Sequence, residues 1–90
     1  MKLVWYKRAI LDLKNVYQYI GQDNSKAAEV VATRIRESTA KLKEFPAQGR
    51  PGRVPGTREL VITDYPYLVP YKVIGEKLII LRVLHTSRSW

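Results

Sequence analysis

Apolar residues recur along this chain with two periods, and each period predicts a different kind of element. Beyond Ala9, Ile10, Leu13, Tyr17 and Ile20 fall at i, i+3, i+7 and i+10, one face of a helix, with Asp12 and Lys14 off the stripe. Gly21 is placed to stop that helix. Asp23, Asn24 and Ser25 are candidate N-caps for a second helix opening at Lys26-Ala27-Ala28-Glu29. Its apolar face reads Ala28, Val31, Ile35, Leu42 and Phe45, weakened in the middle by Ser38 and Thr39. Pro46 ends this helix near Phe45, because the residue before a proline is disfavoured in the α region. Two helices joined by so short a link predict an antiparallel hairpin.

Strand-like runs lie on both sides of the hairpin. Residues 2–6, Lys-Leu-Val-Trp-Tyr, are short and rich in β-formers, and predict a first strand. Residues 57–63, 67–73 and 77–85 predict three more. Pro70 points to an edge position or a bulge in the second of these, and Gly75-Glu76 to a tight turn after it. The last run is long and apolar enough for a central strand. Short connections make these three an antiparallel meander. The expected fold is α+β, in the order β-α-α-β-β-β, with the helical hairpin packed on one face of an antiparallel sheet. At 90 residues the chain predicts a single domain over 1–90 with a thin core.

Between the helices and the meander lies Gly49-Arg50-Pro51-Gly52-Arg53-Val54-Pro55-Gly56, followed by Thr57-Arg58-Glu59-Leu60. Proline fixes φ and glycine permits positive φ, so this run is a loop, and a cationic one. A stiff basic loop feeding a strand can hold guanidinium groups towards an anion; it can equally be a solvated connector.

Charge changes the picture further. Sixteen Lys and Arg against eight Asp and Glu give a net charge of +8. Both halves of the chain are basic, so the excess belongs to a folded surface rather than to a tail. Such a surface favours an anionic partner: nucleic acid, a nucleoprotein or an acidic protein. The chain has no cysteine and one histidine, which leaves no disulfide frame and no usual zinc site. A reducing cytoplasm is compatible with that composition. The first residues lack the apolar run of a signal peptide, and no segment has the length of a membrane span.

Candidate chemistry is sparse. There is no Walker-type phosphate cradle, no nucleophile elbow and no close pair of carboxylates. His85 sits at the end of the last run, three residues after Arg82 and three before Arg88, a setting that suits a neutral imidazole acting as a base. A lone histidine is more often structural. Arg50, Arg53, Arg58, Lys72, Arg82 and Arg88 form one basic surface if loop, strands and C-terminus converge. Tyr65, Tyr67, Tyr71 and Trp90 lie in the same region, and arginine interleaved with aromatics binds phosphates and stacks on bases. The competing reading packs the tyrosines on the sheet and leaves the arginines solvated.

Several of these segments, in order, resemble the RelE/ParE superfamily of bacterial type II toxins. They are Ala9-Ile10-Leu11-Asp12-Leu13 with Tyr19-Ile20, Ala27-Ala28, Leu42 with Phe45-Pro46, and Gly49-Arg50-Pro51-Gly52. Pro55-Gly56-Thr57-Arg58-Glu59-Leu60, Pro66-Tyr67 with Tyr71, and Ile80-Leu81-Arg82-Val83-Leu84-His85 with Arg88 and Trp90 complete the set. The resemblance spans nearly the whole chain and implies the same element order.

It also implies the toxic half of a cytoplasmic toxin–antitoxin pair, without cofactor or metal. The partner would be a cognate antitoxin, with an acidic tail that folds on the toxin. ParE-like members poison DNA gyrase; RelE-like members cut messenger RNA in the ribosome. The RelE pattern has an arginine after an aromatic in the third strand, and here Leu68 follows Tyr67. That departure favours the gyrase poison, with no catalytic residue. Arg50, Arg53, Arg58, Lys72, Arg82, Arg88 and Trp90 are then the candidate target contacts. The alternative, an mRNA endoribonuclease, would use His85 as base with Arg58 and Arg88 on the phosphate.

Overall fold

A computed structural model describes residues 1–87. The elements are β1 (Lys2–Trp5), α1 (Lys7–Gly21), α2 (Ser25–Lys41), β2 (Arg50–Pro51), β3 (Arg58–Ile62), β4 (Tyr67–Ile74), β5 (Lys77–Ile80) and β6 (Leu84–His85). The sheet order is β1-β5-β4-β3-β2, and β6 pairs with β4 beyond the end of β5. The helical hairpin lies on one face, so the α+β layering and the element order are as the sequence predicts.

The meander of β3, β4 and β5 is antiparallel, but β1 runs parallel to β5, with Leu3 beside Leu78 and Trp5 beside Ile80. The sheet is therefore mixed. The helices bring the chain back to the level at which β1 finished, where the Pro46 carbonyl meets the Tyr71 hydroxyl. Trp5, Ile80, Tyr71 and Arg58 lie in one row across the sheet, so β3 begins level with the end of β1 and runs in the same direction, which β5 repeats two reversals later.

Strand alternation sets the inner face. Leu60 and Ile62 of β3, Tyr67, Val69 and Tyr71 of β4, and Leu78 and Ile80 of β5 point towards the helices and form one cluster with Ala9, Val31, Ile35 and Leu42. The face of α1 that meets them is Ala9, Leu13, Val16 and Ile20. Ile10 and Tyr17, expected inward, are 43% and 38% exposed. The two stripes share Leu13 and Ile20 and differ by a small rotation. The fully buried Ala9 lets the first turn lie close to the sheet, where a larger side chain would hold it off.

In α2, Asn24 is the N-cap, its Oδ1 accepting from the Ala27 N–H at 3.0 Å. The helix ends at Lys41 rather than near Phe45, and Phe45 is 60% exposed. A turn after Leu42 places Phe45 beyond the reach of the helical stripe. Thr39 is fully buried, and its hydroxyl donates to the Arg36 carbonyl at 2.8 Å, which satisfies the polar group that blurred the pattern.

The last apolar run is two strands. Ile80 pairs with Tyr71, yet Leu84 pairs with Leu68, so Leu81, Arg82 and Val83 lie opposite only Pro70 and Val69. This is a bulge on the strand facing Pro70. Pro70 accepts from the Leu81 N–H at 2.9 Å. Its missing N–H faces the same flank of the strand, which is where a regular ladder would have needed it.

Candidate functional site

The arginine loop is anchored from beneath by two buried polar side chains. Glu59, 2% exposed, accepts from Arg50 through Nη2 at 3.3 Å and Nε at 3.4 Å, and from the backbone N–H of Arg53 at 3.0 Å. The Tyr71 hydroxyl accepts from the Gly49 N–H at 2.9 Å and donates to the Pro46 carbonyl at 2.7 Å. Burial pushes the Tyr71 phenol above its ordinary range; the Gly49 N–H and the charge of Arg58 offset part of that. Arg58 Nη1 donates to the carbonyls of Gly49 at 2.8 Å and Ala47 at 3.4 Å. Arg50 and Arg58 thus hold the loop together. Arg53 gives its backbone to Glu59 and leaves its side chain exposed.

At the other end of β4, His85 lies on a cleft of about 570 Å³ between the outer flank of α1 and the end of the sheet. Asn15, Gln18, Tyr19, Gln22, Tyr67 and Ser87 contribute to its walls. The His85 ring stands edge-on to Tyr67, centroids 5.6 Å apart. Its Nδ1 accepts from the Ser87 backbone N–H at 3.2 Å and lies 2.8 Å from the Ser87 hydroxyl. A backbone N–H can only donate, so Nδ1 is the acceptor and the neutral ring carries its proton on Nε2. Burial, and to a lesser degree Tyr19, push the Tyr67 phenol above its ordinary range.

The guanidinium of Arg82 is gripped by Asp12 of α1, whose carboxylate also accepts from the Val83 N–H at 3.0 Å. Its pKa is raised above the usual arginine value, first by the hydrogen bond to Asp12, against the opposing effect of burial. Lys72 lies 5.8 Å from the Tyr6 ring centroid, within cation–π range.

The predicted basic cluster is therefore dispersed. Arg58 pairs across the sheet with Tyr71 and His85 with Tyr67, four residues apart on β4, roughly 13 Å along the strand. Arg88 and Trp90 lie outside the described residues. Tyr67 and Tyr71 belong to the core and Tyr65 packs against it, so the stacking platform expected of them is not formed. The sequence reading missed Asp12 and Glu59 as the organising acids. Asp12 lay off the helical stripe, and its partner is 70 residues away. Among the described residues no group of three or more metal-ligating side chains occurs, and no helix is long and apolar enough to cross a membrane.

A helical hairpin packed on a mixed sheet is the architecture of RelE/ParE-type toxins. The family of the ParE toxin of type II toxin–antitoxin system, parDE, matches residues 3–90, and the chain belongs to it. The chain is 42% identical over 89 residues to Y4kP of Sinorhizobium fredii, which bears a toxin name, covering 99% of this chain and 92% of that one. It is 36% identical to toxin RelE2 of Caulobacter vibrioides, over 97% of each chain. The solved chromosomal ParDE TA system from P. aeruginosa superposes with a TM-score of 0.86 at 32% identity, over 94% of this chain and 95% of that one. The YoeB/ParE toxin from Agrobacterium tumefaciens shares the fold, with a TM-score of 0.61 at 22% identity, over 94% and 98% of the two chains. Membership of this family makes the chain a toxin and implies a cognate antitoxin.

Proposed function

We propose that this toxin inhibits DNA gyrase, and so DNA replication, in the cytoplasm, and that its antitoxin neutralises it through an acidic segment folding onto the basic surface. The observation that carries this reading is the separation of the ribonuclease set. Cleavage of RNA needs a base at the 2′-hydroxyl and cations on the same phosphate. Here Arg58 is committed to the carbonyls of Ala47 and Gly49, roughly 13 Å along the sheet from His85. The base position of His85, Nδ1, is occupied by Ser87. Leu68, where RelE-like chains place an arginine, is buried. The breadth of the ParE match supports the same reading.

The competing reading, a ribosome-dependent mRNA endoribonuclease, is favoured by His85 on an open cleft and by the likeness to a protein named RelE2. Plasmid supercoiling by purified gyrase, with the toxin titrated in, separates the two. Loss of supercoiling or trapping of cleaved plasmid is expected. Undisturbed supercoiling by a folded, growth-arresting preparation that cuts ribosome-bound messenger RNA would overturn the proposal.

A further inference from the structure

The face of the sheet turned away from the helices carries three lysines, of which Lys72 alone is among the candidate gyrase contacts. Lys2 of β1 and Lys77 of β5 are direct neighbours in register. Lys72 of β4 pairs with Ile79 and so lies diagonal to Lys77. Leu3, Tyr71 and Leu78 point inward, so alternation puts all three lysines on the outer face.

Like charges side by side on a sheet destabilise it, and among the described residues no carboxylate pairs with these three. Among the described residues none of the three lysines forms an ion pair; the pairs are Arg34–Asp64, Arg50–Glu59 and Arg82–Asp12. Glu59, the strand carboxylate on this face, is taken up by Arg50 and the Arg53 N–H. Glu76, in the neighbouring turn, accepts at its backbone carbonyl from the Lys2 backbone N–H at 2.7 Å. Val4 and Ile79 pair between the lysines and give their stems an apolar bed.

We propose that Lys2, Lys72 and Lys77 form a binding surface for the phosphate backbone of duplex DNA. A stripe of point cations across three adjacent strands, on a rigid sheet, matches a row of phosphates. Binding of single strands relies on exposed aromatic platforms for the bases. Tyr6, beside this stripe, is exposed, with Lys72 5.8 Å from its ring centroid, and one ring is not a platform for successive bases. Contacts to phosphates alone carry no sequence information, so recognition by this stripe is independent of sequence. This goes beyond the gyrase proposal and stands without it, because bare duplex is the ligand.

The test is fluorescence anisotropy of a labelled DNA duplex with the purified full chain, across a salt series. Each lysine on a phosphate contributes about 0.9 to the slope of log K against log salt. The triple variant Lys2→Gln, Lys72→Gln, Lys77→Gln is expected to flatten that slope by about 2–3 and to bind more than tenfold more weakly at low salt. A control, Lys26→Gln, Arg36→Gln, Lys43→Gln, loses the same charge from the α2 side and is expected to change the slope by less than about 1. Removing the Lys2–Lys77 repulsion is expected to hold or raise the melting temperature, so weakened binding by the first variant reports the surface and not unfolding. Equal flattening in both variants would overturn the proposal. So would tighter binding of single-stranded RNA than of duplex, or no binding by the folded wild-type chain at low salt.

Discussion

Asp12 and Arg82, 70 residues apart in sequence, are joined by two parallel hydrogen bonds, Nε to Oδ2 at 2.7 Å and Nη2 to Oδ1 at 3.2 Å. Alternation from Leu78 and Ile80 carries Arg82 to the helix face of the sheet, where Asp12 meets it; the bulge then shifts the phase, so that Val83 also joins the core and His85 pairs with Tyr67. The same carboxylate caps the Val83 N–H, a donor the broken ladder leaves unpaired. One acid therefore fixes the place where the chain turns onto β6 and His85.

Loss of that acid leaves a half-buried guanidinium and a backbone donor without partners. Asp12→Ala is expected to cost about 2–3 kcal/mol, read as a lower melting temperature. Arg82→Lys keeps the charge but not the two-pronged geometry and is expected to cost less. Asp12→Ala with Arg82→Met removes both charges and is expected to recover part of the loss. A wild-type melting temperature for Asp12→Ala would show that the bulge holds its shape unaided.

Tyr71 links stability to alkaline pH. Its hydroxyl serves Gly49 and Pro46, so Tyr71→Phe is expected to cost about 1–3 kcal/mol near neutral pH. Burial raises its folded pKa above the unfolded value of about 10. The folded state then holds the proton more tightly, so the stabilisation is complete below about pH 10 and is lost as pH rises through the folded pKa. The stability gap between wild type and Tyr71→Phe is expected to narrow above about pH 10 in urea melts. A gap that stays constant to high pH would mean the phenol is not the titrating group.

Gly49 is there for space. A Cβ at this position would lie 2.7 Å from both Cε1 and the hydroxyl of Tyr71, and 3.0 Å from the Glu59 carbonyl oxygen. The tyrosine is locked in the core and cannot give way. Gly49→Ala is expected to cost about 1–3 kcal/mol. Gly49→Ala in a Tyr71→Phe background is expected to cost less than in wild type, since part of the clash is with the hydroxyl. Additive costs in a double-mutant cycle of melts would refute the contact.

Local periodicity and turn residues were legible, and long-range pairing was not. Leu13, Ile20, Val31 and Ile35 declared two helices and the Gly/Pro run declared a loop, because each signal spans a few residues. Ile10 and Ala9 competed for one face of α1, and the size of the gap between helix and sheet chose the smaller residue. The parallel pairing of β1 with β5 joins Lys2 to Lys77, 75 residues away, which no local pattern encodes. Six cations were read as one surface because charge is visible in sequence and partners are not. Arg50, Arg58 and Arg82 each found a carboxylate or carbonyls inside the fold.

His85 is the residue on which the two readings of this toxin differ most. Its neutral ring is expected to carry the proton on Nε2, since the Ser87 N–H points at Nδ1. Nitrogen-15 shifts of the imidazole will report this directly: a pyrrole-like Nε2 and a pyridine-like Nδ1. In that tautomer Nδ1, the atom with a free lone pair, is covered by Ser87, and the ring's exposed edge can donate but not accept. A gyrase poison has no use for a base there, so His85→Ala is expected to leave growth arrest within about twofold of wild type. The T-shaped contact with Tyr67 is lost, at about 0.5–1.5 kcal/mol of stability. If His85→Ala abolishes growth arrest while the chain stays folded, and Ser87→Ala does not, the histidine is chemical and the ribonuclease reading takes precedence.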